Sequence, residues 1–452
     1  MAVDLVLTNV KAYKKSEIVE CGLAIDNGKI LKICKAPNLP KADAKYDLHG
    51  LLVLPGLVDA HVHLRDEGKA YKEDFYSGTA AAAAGGVTTV LDMPNNEPVT
   101  MSAEALKARI RKAEKRILVN VGFFSEFPRD IHEIQQIVNQ GAVAFKLFMG
   151  EQIGGLNIDD DEALIRAFET VRMAEVPVAV HAEDKTLLLD TANRLKSNNK
   201  NDIDAFLQAH SESVEETAVK RVLEIINQTR NHLHFCHVST RKALKAVAEA
   251  KREGLPVTCE VTPHHLLLSV VDLKRLGALA VTVPPVREKP NVAALWTGIR
   301  RGFVDIVASD HAPHSPSEKT GENVWSVKAG IVGLETLLPL LLTEVKRGLL
   351  LIADVARLLA EKPAEIFGLK DKGVLKLGNC ADLTVVDLKR KYRIDASKFF
   401  SKAKYSPFHG RLVEGKAVKT FVGGRLVFDE GAIVADAGCG KIIRGNKREV
   451  CC

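Results

Sequence analysis

The 452-residue chain has no uninterrupted apolar stretch of the ~18 residues that a membrane-spanning helix needs. Its opening, Met1 to Asp4, lacks the charged-then-apolar order of a secretion signal, so a cytoplasmic protein is expected. It also lacks a basic block. Its 63 lysines and arginines against 57 acids leave a net +6 spread over the whole length, too dilute to make nucleic acid an expected partner. None of the eight cysteines (21, 34, 236, 259, 380, 439, 451, 452) stands in a CxxC pair, and several lie in apolar runs such as His234-Phe235-Cys236-His237, where buried free thiols are expected. There is no internal repeat beyond an alternation of strands and helices. With 46% hydrophobic and 27% charged residues, the composition excludes wholesale disorder, collagen and a disulfide scaffold, and it supplies a large core.

What is present is a series of eight apolar runs of strand length. They are 54–63, 87–93, 118–124, 142–148, 177–181, 232–237, 256–261 and 304–310. Their ends recur about every 36 residues, near the ~30 or more of a βαβ unit. Helical periodicity fills the gaps at 103–115, 131–139, 161–173, 214–227 and 240–252. Continuous apolar strands require burial on both faces. Eight such units predict an α/β fold, a (β/α)8 TIM barrel, with an open doubly wound sheet as the alternative.

The flanks have a different pattern. Residues 1–53 alternate apolar and polar positions around Asn27-Gly28, a hairpin signal, and the same style returns around Gly423-Gly424. The expected organisation is therefore a small composite β-sandwich domain from 1–53 and 370–437, a barrel from 54–369, and a basic, disordered tail from 438–452.

The apolar runs end in ionisable side chains. The first ends in His61 and His63, the fourth carries Lys146, the fifth and sixth end at His181 and His237, and the eighth ends at Asp310. In a parallel barrel these ends share one face, where barrel active sites are built. His61 and His63, two apart, project to the same side of a strand and can meet one ion. Lys146, inside Ala144-Phe-Lys-Leu-Phe148, would bury an ammonium among apolar groups. Either an acid such as Asp92 pairs it, or desolvation makes the amine nucleophilic enough to take up carbon dioxide as a carbamate, an anionic ligand able to bridge two metals. Asp310 suits both metal ligation and proton transfer. The set as a whole predicts a binuclear metal site.

These residues resemble the amidohydrolase superfamily and, within it, the dihydroorotase group of cyclic amidohydrolases. The resemblance runs from Gly28-Lys29-Ile30 through Pro55-Gly-Leu-Val-Asp-Ala-His-Val-His-Leu-Arg65, Asp92-Met-Pro-Asn95, Asp310-His-Ala-Pro-His314 and Gly333-Leu-Glu-Thr336 to Asp382-Leu-Thr-Val-Val-Asp387 and Pro407-Phe-His-Gly410. It implies two Zn2+ per subunit: one on His61, His63 and Asp310, the other on His181 and His237, both bridged by carbamylated Lys146 and hydroxide. It further implies that Arg65 and Asn95 grip a substrate carboxylate, that His314 also contacts substrate, and that Ala329 and Gly330 close over the ring.

Arginine suits this task because its planar fork makes paired, charge-assisted hydrogen bonds to carboxylates. Asn95 can also be read as a turn residue, and His314 as a loop-stabilising one. His264 and His265 are assigned to strand-seven structure. One position departs from the pattern: Val283 stands where the bacterial sequences usually place a substrate-binding asparagine. The expected activity is a zinc-dependent hydrolase acting on carbon–nitrogen bonds of cyclic amides. It would reversibly cyclise N-carbamoyl-L-aspartate to (S)-dihydroorotate in pyrimidine biosynthesis, with Asp310 as the catalytic acid and base. An allantoinase- or hydantoinase-like enzyme and a non-catalytic scaffold are the alternatives. The expected partners are the small anionic substrate, a second copy of the chain and aspartate carbamoyltransferase, with neither nucleic acid nor membrane.

Overall fold

A computed structural model describes residues 2–445. The N-terminal end forms β1 (Val3–Lys14), β2 (Glu17–Asp26), β3 (Lys29–Cys34), β4 (Ala42–Asp47) and β5 (Leu52–Pro55). The middle of the chain forms β6 (Leu57–Val62), β7 (Val87–Asp92), β8 (Asn120–Glu126), β9 (Ala142–Phe148), β10 (Val178–His181), β11 (Leu233–Phe235), β12 (Val257–Val261) and β13 (Ile306–Val307). There follow β14 (Leu383–Arg393), β15 (Leu412–Val422), β16 (Arg425–Asp429), β17 (Ala432–Ile433) and β18 (Ile442–Ile443).

Strands β6 to β13 pair in sequence order, each parallel to the next. The seam is closed by a parallel bridge between Val62 and His311, with the His63 amide donating to the His311 carbonyl at 2.8 Å. Asp59 of β6 reinforces it by accepting from the Ser309 amide at 3.1 Å. The architecture is thus the (β/α)8 barrel rather than an open sheet. Its lumen is filled by inward side chains such as Ala60, Leu91, Phe124 and Ala179, as side-chain layers require, and Phe367 and Ile443 pack into the same cluster.

The expected helices form at Ala103–Glu114, Ile134–Gln140, Asp161–Met173, Glu212–Thr229 and Arg241–Arg252. Ser102, Asp160 and Thr240 cap three of them, each accepting from the amide three residues on. The alanine run at 80–84 ends the buried helix Phe75–Ala84, where small side chains permit close packing. Two further helices, Lys185–Ser197 and Ile203–Ala209, lie between β10 and β11.

Both chain ends share the second sheet, in the order β17-β16-β15-β14-β5-β1-β2-β3 with β4 beside β1. Its hairpins turn where the sequence signals them. Asn27 and Gly28 adopt φ 49° and 70°, and Gly423 and Gly424 adopt 53° and 76°, the left-handed values a two-residue turn between twisted strands needs. The chain passes from this sheet into the barrel at Gly56, where a Cβ would lie 2.3 Å from Thr88 Oγ1.

Two expectations are corrected. The tail is not disordered over 438–445: β18 pairs in parallel with Val121 and Gly122 of β8, and Ile442 and Ile443 are buried. A two-residue strand is too short to leave a periodic signature, which is why composition alone misread it. Residues 446–452 lie outside the described region. Cys21, Cys34, Cys236, Cys259 and Cys439 are free, whereas Cys380 is disulfide-bonded.

Candidate active site

The C-terminal ends of the barrel strands bring His61, His63, Lys146, His181, His237 and Asp310 to one mouth, all of them buried. Three site residues hold left-handed backbones: Arg65 at φ 63°, His237 at 34° and Asp310 at 46°. Such conformations cost of order 1–3 kcal/mol for a non-glycine residue and concentrate where function over-determines the backbone. Each of the three lies two or three residues beyond the end of a barrel strand.

The imidazoles are held from outside and converge inward. His61 donates Nδ1–H to Glu260 Oε1 at 2.5 Å and turns Nε2 toward Asp310 Oδ1 at 3.4 Å. His63 donates Nδ1–H to Asn95 Oδ1 at 2.8 Å and turns Nε2 toward the same Asp310 oxygen at 3.3 Å. On the other side His181 bonds Glu183 through Nε2 at 2.9 Å, and its Nδ1 lies 3.0 Å from His237 Nε2. The two groups adjoin, with the His61 and His237 rings 5.3 Å apart. Ligand atoms of His61, His63 and Asp310 lie within 4.8 Å of one another, as do those of His61, Cys236 and Glu260.

Charge follows this arrangement. Burial opposes ionisation of Asp310, but His61 and the neighbouring histidines hold its carboxyl well below the usual carboxylate range. Burial also opposes a proton on His61, yet Glu260 and Asp310 outweigh it and push the imidazole up to about 10. His63 is pushed down to about 3 by burial and by Arg65, and His237 goes down through burial and His181. The site therefore presents the neutral imidazoles of His63 and His237 beside the ionised carboxylate of Asp310, with His61 held between Glu260 and Asp310. Imidazoles braced by carboxylates and an amide are the donor chemistry that suits a divalent cation such as zinc, so the residues present fit the implied metals.

Lys146 is fully buried. Its Nζ donates to Cys236 Sγ at 2.9 Å and lies 5.0 Å from the centre of the Phe148 ring. The sequence alternative, an ion pair with Asp92, is not what forms. Asp92 pairs with Arg109, whose Nε donates to it at 3.0 Å, and it accepts from the Leu64 amide at 2.8 Å, which steadies the segment leading to Arg65.

Beyond the histidines, Arg65 is only 6% exposed, and its Nε is a buried donor without a hydrogen-bond partner. Asn95 is half-buried and spends its carbonyl on His63. Both ring nitrogens of His314 are engaged by protein, Nδ1 by Lys72 Nζ at 3.0 Å and Nε2 by the Ala329 carbonyl at 2.9 Å. Gly330 has φ 151°, and a Cβ there would lie 2.3 Å from the Ala312 carbonyl oxygen, so the loop passes against the Asp310–His314 segment. The neighbouring loop carries Val283, whose side chain packs on a hydrophobic cluster that also borders Ala329.

Sequence reasoning missed Glu260, Glu183 and Cys236 as site residues. Glu260 sits inside Val257–Val261 and accepts from His61, from His234 Nε2 at 3.1 Å and from the His237 amide at 3.1 Å. Burial resists its ionisation, but His61 and His234 hold it well below the carboxylate range. A carboxylate within an apolar strand was the available signal. His265 is structural as expected, bonding Thr262 Oγ1 at 2.8 Å and the Pro284 carbonyl at 3.1 Å, but it lies in the short helix Pro263–Leu267 rather than in a strand.

Residues 52–427 match the model of the Amidohydrolase family. A dihydroorotase of Methanothermobacter thermautotrophicus is 39% identical over 96% of this chain and 96% of its own length. One of Methanosarcina acetivorans is 35% identical over 98% of this chain and 96% of its own. The solved L-hydantoinase of Arthrobacter aurescens superposes with a TM-score of 0.94 at 30% identity, covering 98% of this chain and 100% of that one.

Proposed function

From the premise that the chain belongs to the amidohydrolase family, as a hydrolase acting on cyclic amides, we propose that it is a dihydroorotase interconverting N-carbamoyl-L-aspartate and (S)-dihydroorotate. The observation that carries this reading is Arg65. A buried guanidinium with an unsatisfied donor beside His63 is costly to keep unless an anionic ligand completes it. In this proposal His61, His63 and Asp310 would hold one zinc and His181 and His237 the other, and Lys146, as its carbamate, would supply a further anionic oxygen donor. When bound, such cations supply Lewis acidity toward the scissile carbonyl and lower the pKa of water.

The chain's own residues do the rest. Arg65 and Asn95 fix the carboxylate that does not react, which positions the ring and contributes affinity. Asp310, kept ionised by the histidines around it, accepts the proton of the attacking water and returns it to the leaving ring nitrogen. In cyclisation the same carboxylate takes the proton from the ureido nitrogen. Glu260, Asn95 and Glu183 keep the imidazoles turned inward throughout. The proposal retains a barrel over 54–369 and a composite β domain from 1–53 and 370–437. A homo-oligomer and aspartate carbamoyltransferase remain its candidate partners. Among the described residues no helix is long and apolar enough to cross a membrane.

The second reading, a hydantoinase-like enzyme, is favoured by the close superposition on the L-hydantoinase and by Val283, and opposed by Arg65. Turnover of dihydroorotate, carbamoyl-aspartate, hydantoin and allantoin by wild type and Arg65→Met separates the two. Dihydroorotase activity that falls by about 100-fold or more in the variant, as for a charge-assisted bidentate contact, while any hydantoin turnover is spared, supports the proposal. Equal loss on both substrates makes Arg65 structural, and a wild type active only on uncharged rings overturns the reading.

A further inference from the structure

Lys72 lies just before the helix Phe75–Ala84, in the loop that follows β6, and no role in the site has been given to it. It is 6% exposed, and its Nζ sits 2.7 Å from Glu318 Oε1 and 3.0 Å from His314 Nδ1. An ammonium has only donors, so His314 Nδ1 must be the accepting, unprotonated nitrogen. The ring proton then resides on Nε2, which donates to the Ala329 carbonyl at 2.9 Å. One lysine thus specifies the tautomer of a histidine two loops away, and both ends of that histidine agree with the assignment.

The same contacts join three loops of the barrel mouth. Ala329 adjoins Gly330, whose amide donates to the Val281 carbonyl of the loop after β12 at 2.9 Å. Glu318 accepts from the Ser315 amide at 2.9 Å through Oε2 and from the Tyr71 hydroxyl at 3.1 Å through Oε1, so both its oxygens are spent holding this junction. Removing Lys72 would leave the buried Nδ1 of His314 without its donor and take the cation from Glu318, so that the Ala329 carbonyl alone would hold the ring.

We propose that Lys72 is a positioning residue, which fixes His314 on the Ala329 carbonyl and so sets the loop that closes over a bound cyclic substrate. The inference rests on the dihydroorotase reading for its substrate. It predicts that Lys72 acts on binding more than on chemistry, and that it acts through His314.

The test is a double-mutant cycle in steady-state hydrolysis of dihydroorotate, using Lys72→Met, His314→Ala and the pair in the metal-loaded enzyme. Losing one hydrogen bond to a charged group, Lys72→Met should raise KM by about tenfold and change kcat by less than about threefold. In the His314→Ala background the same change should alter KM by less than about twofold. Lys72→Arg, which keeps a cationic donor, should recover most of the loss. If Lys72→Met fails to fold, Lys72→Gln, which keeps a neutral donor and leaves Glu318 a partner, should show the same split. Independent, multiplicative effects of the two single variants, or a fall in kcat at unchanged KM, would overturn the proposal. A wild type inactive on dihydroorotate would instead overturn the functional reading, and the cycle run on the cyclic amide it does accept would still measure the coupling.

Discussion

Replacing Glu260 with glutamine should weaken metal binding without dismantling the barrel. The side chain is 1% exposed and serves three donors: His61 at 2.5 Å, the His237 amide at 3.1 Å and His234 at 3.1 Å. An amide has one accepting oxygen, so the glutamine can keep His61 and His237 only by turning its NH2 toward His234. His234 can accept there if it moves its proton to Nδ1, which already faces Thr258 Oγ1 at 2.9 Å. The shape is thus preserved and the negative charge is lost. A hydrogen bond to a charged group contributes ~1.5–3 kcal/mol against ~0.5–1.5 for a neutral pair, which leaves a deficit of about 1–1.5 kcal/mol at His61. Linkage passes that deficit to the cation His61 would hold, as a weakening of roughly tenfold, within the ~10–100-fold typical of carboxylates behind ligand histidines. Titration against a competing chelator measures the affinity, and activity at limiting metal should fall in parallel and recover with excess metal. An affinity within twofold of wild type together with lost activity would refute the supporting role and move Glu260 into the chemistry itself.

Lys146→Ala should abolish turnover and metal retention together, with partial rescue by acetate or propionate, whose carboxylate can occupy the bridging position; full activity in the variant refutes the carbamate. Glu335 provides the pH test. Burial raises its carboxyl to about 8 although it accepts from the Phe400 and Ser401 amides. The folded state therefore binds the extra proton, and wild-type stability falls as pH rises from the unfolded value near 4.5 toward 8. Glu335→Gln keeps an acceptor and has no charge to bury. Its advantage in chemical unfolding should be absent below pH 4.5 and grow to at most on the order of 5 kcal/mol above pH 8, and a difference that does not change with pH would sink this account.

The barrel was legible because its strands are apolar on both faces and because ionisable groups stop them at one end. The cost of burying a charge singled out Lys146. The same reasoning applied to Val257–Val261 would have found Glu260, but only a partner makes a buried carboxylate tolerable, and His61 and His234 are more than 20 residues distant in sequence. His314 shows the complementary limit. The resemblance implied a substrate contact for it, but that its two ring nitrogens engage Lys72 and the Ala329 carbonyl is a fact of packing between loops that no local pattern encodes. The helices at 185–197 and 203–209 are short excursions outside the βα alternation and followed from no spacing.

The seam at Gly56 also governs the order in which the molecule can be made. The Leu57 amide bonds Thr384 Oγ1 across 327 residues of sequence, and β5 pairs directly with β14 beside it. At a synthesis rate of ~5–20 residues per second, the ribosome needs on the order of 16–65 s to deliver that partner. Throughout this interval β5 presents an unpaired edge, and unpaired edges are where nascent chains find the wrong neighbour. The tempo of translation therefore sets a lower bound on how soon these contacts can form. Conditions that slow synthesis across residues 57–383 should raise the share of chains lost to aggregation even though every contact of the finished protein is unchanged.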